Sequence, residues 1–184
     1  MATTNAAEPT RRDFIHIATG TVAAIGVGLA AWPFIDQMNP SSAVLALSSA
    51  EVDISSVQEG QQIVAMWRRK PIFIRRRTKK EIAEAEAVSV TDLPDPLARN
   101  LNLAEDAPAT DKNRIEKPEW LIVIGICTHL GCIPLNNQGE FGGYLCPCHG
   151  SQYDTAGRIR KGPAPENLAV PPYAFLSPTK IKIG

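Results

Sequence analysis

The chain has no net charge: its 19 Lys and Arg are balanced by 19 Asp and Glu. A nucleic-acid-binding domain usually carries a basic excess, so nothing in the composition points that way. No internal repeat is visible at any useful period. No C-x-x-C-H stretch occurs, so the chain attaches no c-type haem of its own. Histidine is scarce, with only His16, His129 and His149. Cysteine is scarce too: Cys127, Cys132, Cys146 and Cys148. One stretch, the 22 residues from Phe14 to Ile35, holds no Lys, Arg, Asp or Glu.

As a helix that run spans roughly 33 Å, close to the thickness of a bilayer core. Ala, Gly, Val and Ile dominate it, and Trp32 stands near its far end, where an interfacial aromatic is expected. No polar face recurs at helical spacing, which argues against a core helix. Arg11 and Arg12 precede the run and Asp36 follows it, so the positive-inside bias puts the N-terminus in the cytoplasm and the remainder outside. Arg11-Arg12-Asp13-Phe14-Ile15 also looks like a twin-arginine export signal, a route for domains that are already folded. Gly28-Leu29-Ala30 could pass as a cleavage site, but the apolar run exceeds the usual core of about 7–15 residues. A retained anchor is therefore expected over 1–36. A linker or hinge follows over 37–47 (QMNPSSAVLAL), then an extracytoplasmic domain over 48–184.

Thirteen Gly and 15 Pro crowd toward the last third and argue for short elements joined by tight turns, an all-β antiparallel domain. Residues 62–67 and 71–76 read as strands around a charged turn, Arg68-Arg69-Lys70. Arg75, Arg76, Arg77, Lys79 and Lys80 form a basic cluster. Such a run is expected to be a solvated strand end leading into a helix over 79–87; contact with lipid headgroups or an acidic partner is the functional reading. Residues 92–118, with four prolines, read as a long surface excursion with a helical turn at Pro96-Leu97-Ala98-Arg99. Residues 120–126 are apolar on both faces and predict a buried strand that delivers Cys127. Residues 140–145 predict a strand that delivers Cys146, and further short strands are expected near 168–170 and 179–183.

Cys127-x-His129 and Cys146-x-x-His149 each place one thiolate and one imidazole in a loop at a strand end. Four arrangements are open. A structural zinc takes four ligands, fewer than the six candidates. A plant-type [2Fe–2S] cluster takes four cysteines and leaves the histidines idle. Two disulfides suit an exported domain but leave the paired histidines unexplained. Two cysteines on one iron and two histidines on the other, with Cys132 and Cys148 joined, use all six. The potential then lies at roughly −150 to +300 mV, far above plant-type ferredoxins.

Cys-Thr-His-Leu-Gly-Cys (127–132) with Cys-Pro-Cys-His-Gly-Ser (146–151) resembles the Rieske iron–sulfur subunits of alphaproteobacterial cytochrome bc1 complexes. The likeness extends to the anchor, the linker, Ser151-x-Tyr153 and Gly162-Pro163-Ala164-Pro165, so it covers essentially the whole chain. The resemblance implies that Cys127, His129, Cys146 and His149 ligate one [2Fe–2S] cluster in a small lobe of about 120–167, and that Cys132 and Cys148 form a disulfide. It makes Ser151 and Tyr153 hydrogen-bond donors to the sulfurs, which stabilises the more negative reduced state. A turn at Gly162, Pro163 and Pro165 covers the cluster, and Leu130 and Gly131 form a docking tip. The implied reaction is ubiquinol oxidation at cytochrome b, with His149 as hydrogen-bond partner and proton acceptor. The electron passes to cytochrome c1 as the head swings on its linker, within a dimeric complex of the cell inner membrane.

The runner-up is the small Rieske subunit of a periplasmic molybdenum oxidase such as arsenite oxidase. The match through GRIRKGPAPEN (157–167) favours the first reading. A ring-hydroxylating oxygenase needs two further histidines and a carboxylate on a mononuclear iron. Only His16 remains, inside the apolar run. A purely structural disulfide module would lack colour and iron.

Overall fold

The computed structural model describes residues 10–42, 44 and 48–184, which fall into two units, Met1–Leu45 and Ala46–Gly184. Four positions of the expected linker (43 and 45–47) and the tail before residue 10 lie outside the described residues.

In the first unit, α1 runs Arg11–Asp36. The Thr10 hydroxyl accepts from the Asp13 amide at 3.3 Å, and the Asp13 carboxylate accepts from the Thr10 amide at 2.9 Å. This reciprocal cap satisfies two donors that a helix start otherwise leaves free. None of the side chains of α1 is buried, and the helix is long and apolar enough to cross a membrane.

The second unit holds three antiparallel sheets. In the first, β10 (Lys180–Ile183) lies between β1 (Ala50–Asp53) and β9 (Tyr173–Ser177). In the second, β3 (Lys70–Arg76) lies between β2 (Gln62–Trp67) and β4 (Trp120–Ile124). Arg68 and Arg69 both take positive φ, as a two-residue hairpin turn of the primed type requires. The third sheet runs in sequence order: β5 (Leu135–Asn136), β6 (Gly142–Leu145), β7 (Gln152–Asp154) and β8 (Ile159–Lys161).

β4 is buried along its whole length because it serves two cores. Trp120, Ile122 and Ile124 pack with Ile72, Ile74, Ile181 and Ile183. Leu121 and Val123 face the other way, with Phe73, Tyr144, Tyr153 and the two cysteines Cys127 and Cys146. The two-sided apolar pattern thus sets the cysteine-bearing loops on a rigid strand.

The basic cluster departs from its expected solvation. Arg75 and Arg77 are buried. Arg75 pairs with Glu81, the carboxylate that also caps α2 (Lys79–Glu86) through the Thr78 amide. Arg77 grips both oxygens of Asp111, at 2.6 and 3.0 Å, and donates to the Pro118 carbonyl. Both charges are paired, which is what lets them leave water.

The 92–118 segment is a surface excursion only in its middle: residues 101–106 are exposed, whereas Leu93, Asp95, Ala98, Ala109, Asp111 and Arg114 are buried. Pro96-Leu97-Ala98-Arg99 is not helical: Leu97 bridges Pro108, and Arg99 takes a positive φ. The helical turn is α3 (Asp111–Arg114), with Thr110 as its N-cap. Residues 168–170 form no strand; Val170 makes one bridge to Asn100, because a side chain rather than a neighbouring strand takes the Leu168 carbonyl. β5, β7, β8 and β9 correspond to no strand expected from the sequence.

Asp95 ties this segment down. Its carboxylate accepts from the Leu97 amide, the Asn167 amide and Arg99 Nε at 3.2, 2.9 and 2.9 Å. Burial resists its ionisation, but the bonds from Arg99, Asn167 and Leu97 outweigh that and hold the carboxyl below its ordinary range. The stability it contributes is full above the unfolded value near about pH 4 and is lost as pH falls through the folded value. In thermal melts, Asp95→Asn should be less stable than wild type at about pH 5, and the gap should shrink on acidification. A gap that stays constant down to about pH 2 would remove this role.

Candidate metal centre

Two loops carry the six residues, and their backbones fold alike. In the first, the Cys127 amide donates to the Cys132 carbonyl at 2.7 Å and the Gly131 amide to the Cys127 carbonyl at 2.9 Å. In the second, the Cys146 amide donates to the Ser151 carbonyl at 2.8 Å and the Gly150 amide to the Cys146 carbonyl at 3.0 Å. Gly131 and Gly150 hold equivalent positions, at φ of 81° and 76°, a left-handed conformation that a side chain would strain. Gly131 therefore shapes the turn, besides standing beside the exposed Leu130.

A disulfide joins Cys132 to Cys148 and so ties loop to loop. Cys127 and Cys146 remain free thiols, both buried. The rings of His129 and His149 meet edge to face, with centroids 4.7 Å apart. His129 is half-buried and His149 is exposed. His129 Nδ1 is buried without any hydrogen-bond partner. A buried polar atom left unsatisfied is costly, and a metal ion is the kind of partner that would satisfy it. The sulfurs of Cys132, Cys146 and Cys148 also lie within 4.8 Å of one another, but two of them are already bonded together. Two thiols and two imidazoles remain, a donor set that fits a mixed-ligand [2Fe–2S] group.

The sulfurs are not equivalent. Burial opposes ionisation of Cys127, yet bonds from the Tyr153 hydroxyl and the His129 amide lead a set that outweighs it, and the thiol lies below its ordinary value. Cys146 is pushed up, chiefly by burial. The Tyr153 hydroxyl donates to Cys127 Sγ at 3.3 Å and accepts from the Thr128 amide at 3.4 Å. Buried Ser151 accepts from the Ala164 amide at 3.1 Å, which leaves its own proton for a sulfur.

Ala164 belongs to the covering segment. It is buried against Cys127 and Cys146, while Pro163 and Pro165 face outward. The segment is clamped to the first loop by Thr128, whose hydroxyl donates to the Glu166 carbonyl at 2.7 Å and accepts from the Glu166 amide at 3.3 Å. Ala164 falls within the Gly162-Pro163-Ala164-Pro165 turn expected to cover the site, whereas no role for Thr128 is read from the sequence. Thr128 had one available signal, as the polar residue between Cys127 and His129. Leu130 is 69% exposed, and Ile133 and Leu135 are exposed beside it in sequence.

Two family models match this chain: "Rieske [2Fe-2S] domain" over residues 81–173, and "Ubiquitinol-cytochrome C reductase Fe-S subunit TAT signal" over residues 1–41. The "Ubiquinol-cytochrome c reductase iron-sulfur subunit" of Bradyrhizobium diazoefficiens is 54% identical, covering 100% of both chains. The chain belongs to this family. That of Rhodospirillum rubrum is 52% identical over 100% of this chain and 96% of its own. Among solved structures, a chain of "Hyperthermophilic respiratory Complex III" matches with a TM-score of 0.54 and 27% identity, over 91% of this chain and 98% of that one. A Rieske domain implies a [2Fe–2S] cluster, and the twin-arginine signal expected at Arg11-Arg12 lies within the matched N-terminal region.

Gly162 gives a direct test of the cover. Its φ is 106°, and an added Cβ would lie 2.6 Å from Ser151 Cα. Gly162→Ala should displace the cover from the second loop and lower iron bound per chain at least about twofold, read by iron assay against protein concentration. Full iron content with an unchanged visible spectrum would count against the cover.

Proposed function

We propose that this chain is the electron-transfer subunit of a quinol–cytochrome c reductase. It would oxidise ubiquinol at a site shared with cytochrome b and hand the electron to cytochrome c1, within a dimeric complex. The N-terminus would lie in the cytoplasm, with α1 anchored in the inner membrane and the Rieske domain on the periplasmic side. The observation that carries this reading is the pair of tied loops: two free buried cysteines and two touching imidazoles, one of them exposed.

In this reading Cys127, Cys146, His129 and His149 hold the [2Fe–2S] group. When bound, the group supplies a one-electron acceptor at roughly −150 to +300 mV. Tyr153 and Ser151 donate toward the sulfurs and favour the more negative, reduced state. His149, the exposed imidazole, accepts the hydrogen bond of a quinol hydroxyl at its outward ring nitrogen and takes that proton as one electron leaves the quinol. Added negative charge beside the imidazole favours keeping the proton there. The second electron goes to a low-potential haem of the cytochrome b partner.

An EPR-monitored redox titration of purified protein at several pH values tests this. The expected midpoint is high and falls by about 59 mV per pH unit where one proton accompanies one electron. A low, pH-independent midpoint would mean four-cysteine ligation, and absence of iron would return the site to zinc or disulfides.

Residues 37–47 would act as the tether on which the head moves between the two cytochromes. Proline at Ser41 and Ser42 should slow cytochrome c reduction severalfold while leaving the midpoint unchanged. Unaltered turnover would sink the tether.

A further inference from the structure

Arg114, at the end of α3, is completely buried, and among the described residues no carboxylate lies within ion-pair distance of it. The other two fully buried arginines are paired: Arg77 with Asp111, and Arg158 with Asp154 at 2.8 Å. Burial lowers the Arg114 pKa to about 10, which still leaves it cationic near neutrality. Its donors all go to backbone carbonyls. Nη1 donates to Ala98, Nε to Ala156 at 3.0 Å, and Nη2 to Gly157 at 3.2 Å and Leu168 at 2.6 Å. These acceptors belong to three segments: the 92–118 segment, the turn between β7 and β8, and the chain just after the cover. All four lie outside regular strands, and only the Gly157 carbonyl also accepts a backbone amide, that of Leu168, among the described residues.

Two of those segments lead to the sulfurs. The 156–157 turn follows Tyr153 on β7 by three residues. Leu168 ends a chain of contacts that begins at the cluster site. Ala164 donates to Ser151, Glu166 exchanges bonds with Thr128, the Asn167 side chain accepts from the Ile159 amide, and the Leu168 amide donates to the Gly157 carbonyl. One planar fork therefore grips the base of both strips that carry sulfur-facing hydroxyls or their partners.

We infer that Arg114 is a positioning residue for the cluster site, locking the cover segment to the β7–β8 turn so that the Ser151 and Tyr153 hydroxyls stay aimed at the cysteine sulfurs. The inference rests on the mixed-ligand reading of that site. Arg114 touches neither ligand residues nor substrate. It acts through backbone alone, so its loss should appear in the potential as well as in stability.

The test is an EPR-monitored redox titration with thermal melts, on the full chain in its detergent-solubilised complex. The variants are Arg114→Lys, Arg114→Met, Gly157→Ala and, as control, Arg77→Lys. Lysine keeps the charge but loses the fork. Gly157→Ala crowds the guanidinium from the other side, since an added Cβ would lie 3.0 Å from Arg114 Nη2 at a φ of 72°. It therefore serves where Arg114→Met does not assemble. Arg114→Lys, Arg114→Met and Gly157→Ala should each lower the reduction equilibrium constant at least about tenfold, about 59 mV for one electron, and shift the EPR g-values. Arg77→Lys should lower the melting temperature without moving the midpoint. An unchanged midpoint in Arg114→Lys overturns the inference, and if Arg114→Met alone falls, charge rather than position is at work. An equal fall in Arg77→Lys overturns it as well. If wild type itself lacks a high-potential signal, the reading of the site fails first and the inference falls with it.

Discussion

A metal site built from loops has a problem that a sheet does not: buried amides and carbonyls need partners, and no ladder supplies them. Here three fully buried guanidinium groups supply many of them. Arg77 takes the Pro118 carbonyl, Arg158 takes those of Ala85 and Ala109, and Arg114 takes four. Arginine suits this because its fork offers five donors in one rigid plane and carries its charge at any physiological pH. The cost of burying charge is met for Arg77 and Arg158 by Asp111 and Asp154. Removing any one of these groups would strand carbonyls or a carboxylate in an apolar interior, so the 85–118 segment and the cover stand or fall together.

The two cysteine loops solve a second problem, that of keeping two thiols free next to an oxidised pair. Cys127 and Cys146 each start a loop after a strand, where the amide of the following glycine folds back onto the cysteine carbonyl. Cys132 and Cys148 lie further along, more exposed, and meet across the loops. Yet Cys146 Sγ stays within 4.8 Å of both disulfide sulfurs, near enough for thiol–disulfide exchange if its thiolate were free. A ligated sulfur is not available for exchange. In the proposed function, an export route that carries folded domains would suit such a site, because the sulfurs would be committed before the chain meets an oxidising compartment.

What could be read from the sequence was local. The uncharged run at 14–35, the two-sided apolar strand and the paired Cys-His spacings each signal through neighbours in sequence; the run lies in α1, and the strand expected over 120–126 is found over Trp120–Ile124. What could not be read depends on partners far away in sequence. Arg75-Arg76-Arg77 looks like a solvated run until Asp111, 34 residues on, is seen to close on Arg77. The 92–118 stretch looks like surface because its prolines and acids are polar in composition. Its burial depends on Asn167 and Arg158, which meet it across 49 to 72 residues. Residues 168–170 have strand-like side chains, but the Leu168 carbonyl goes to Arg114. The resemblance marked Gly162, Pro163 and Pro165 as the cover, yet the residue that turns inward is the alanine between the prolines. The motif Gly162-Pro163-Ala164-Pro165 includes that alanine, but only the fold shows that it alone of the four is buried.

The difference in exposure between the two imidazoles gives the site a direction. His129 is half-buried, with its Nδ1 sealed from water. His149 stands on the second loop in the open, in the same exposed stretch as Pro147 and Cys148. His149 is therefore the more open of the two imidazoles to a partner molecule. The first loop adds Leu130, with Ile133 and Leu135 after it, all apolar and exposed. Isolated exposed leucines need no explanation, but apolar side chains concentrated along one loop beside an open imidazole make a surface that gains by being covered. In the proposed function a quinol would bring the matching chemistry: a flat apolar body with a hydroxyl at its edge. The apolar surface would hold the body while the hydroxyl finds the exposed imidazole of His149, so binding and proton transfer would share one orientation.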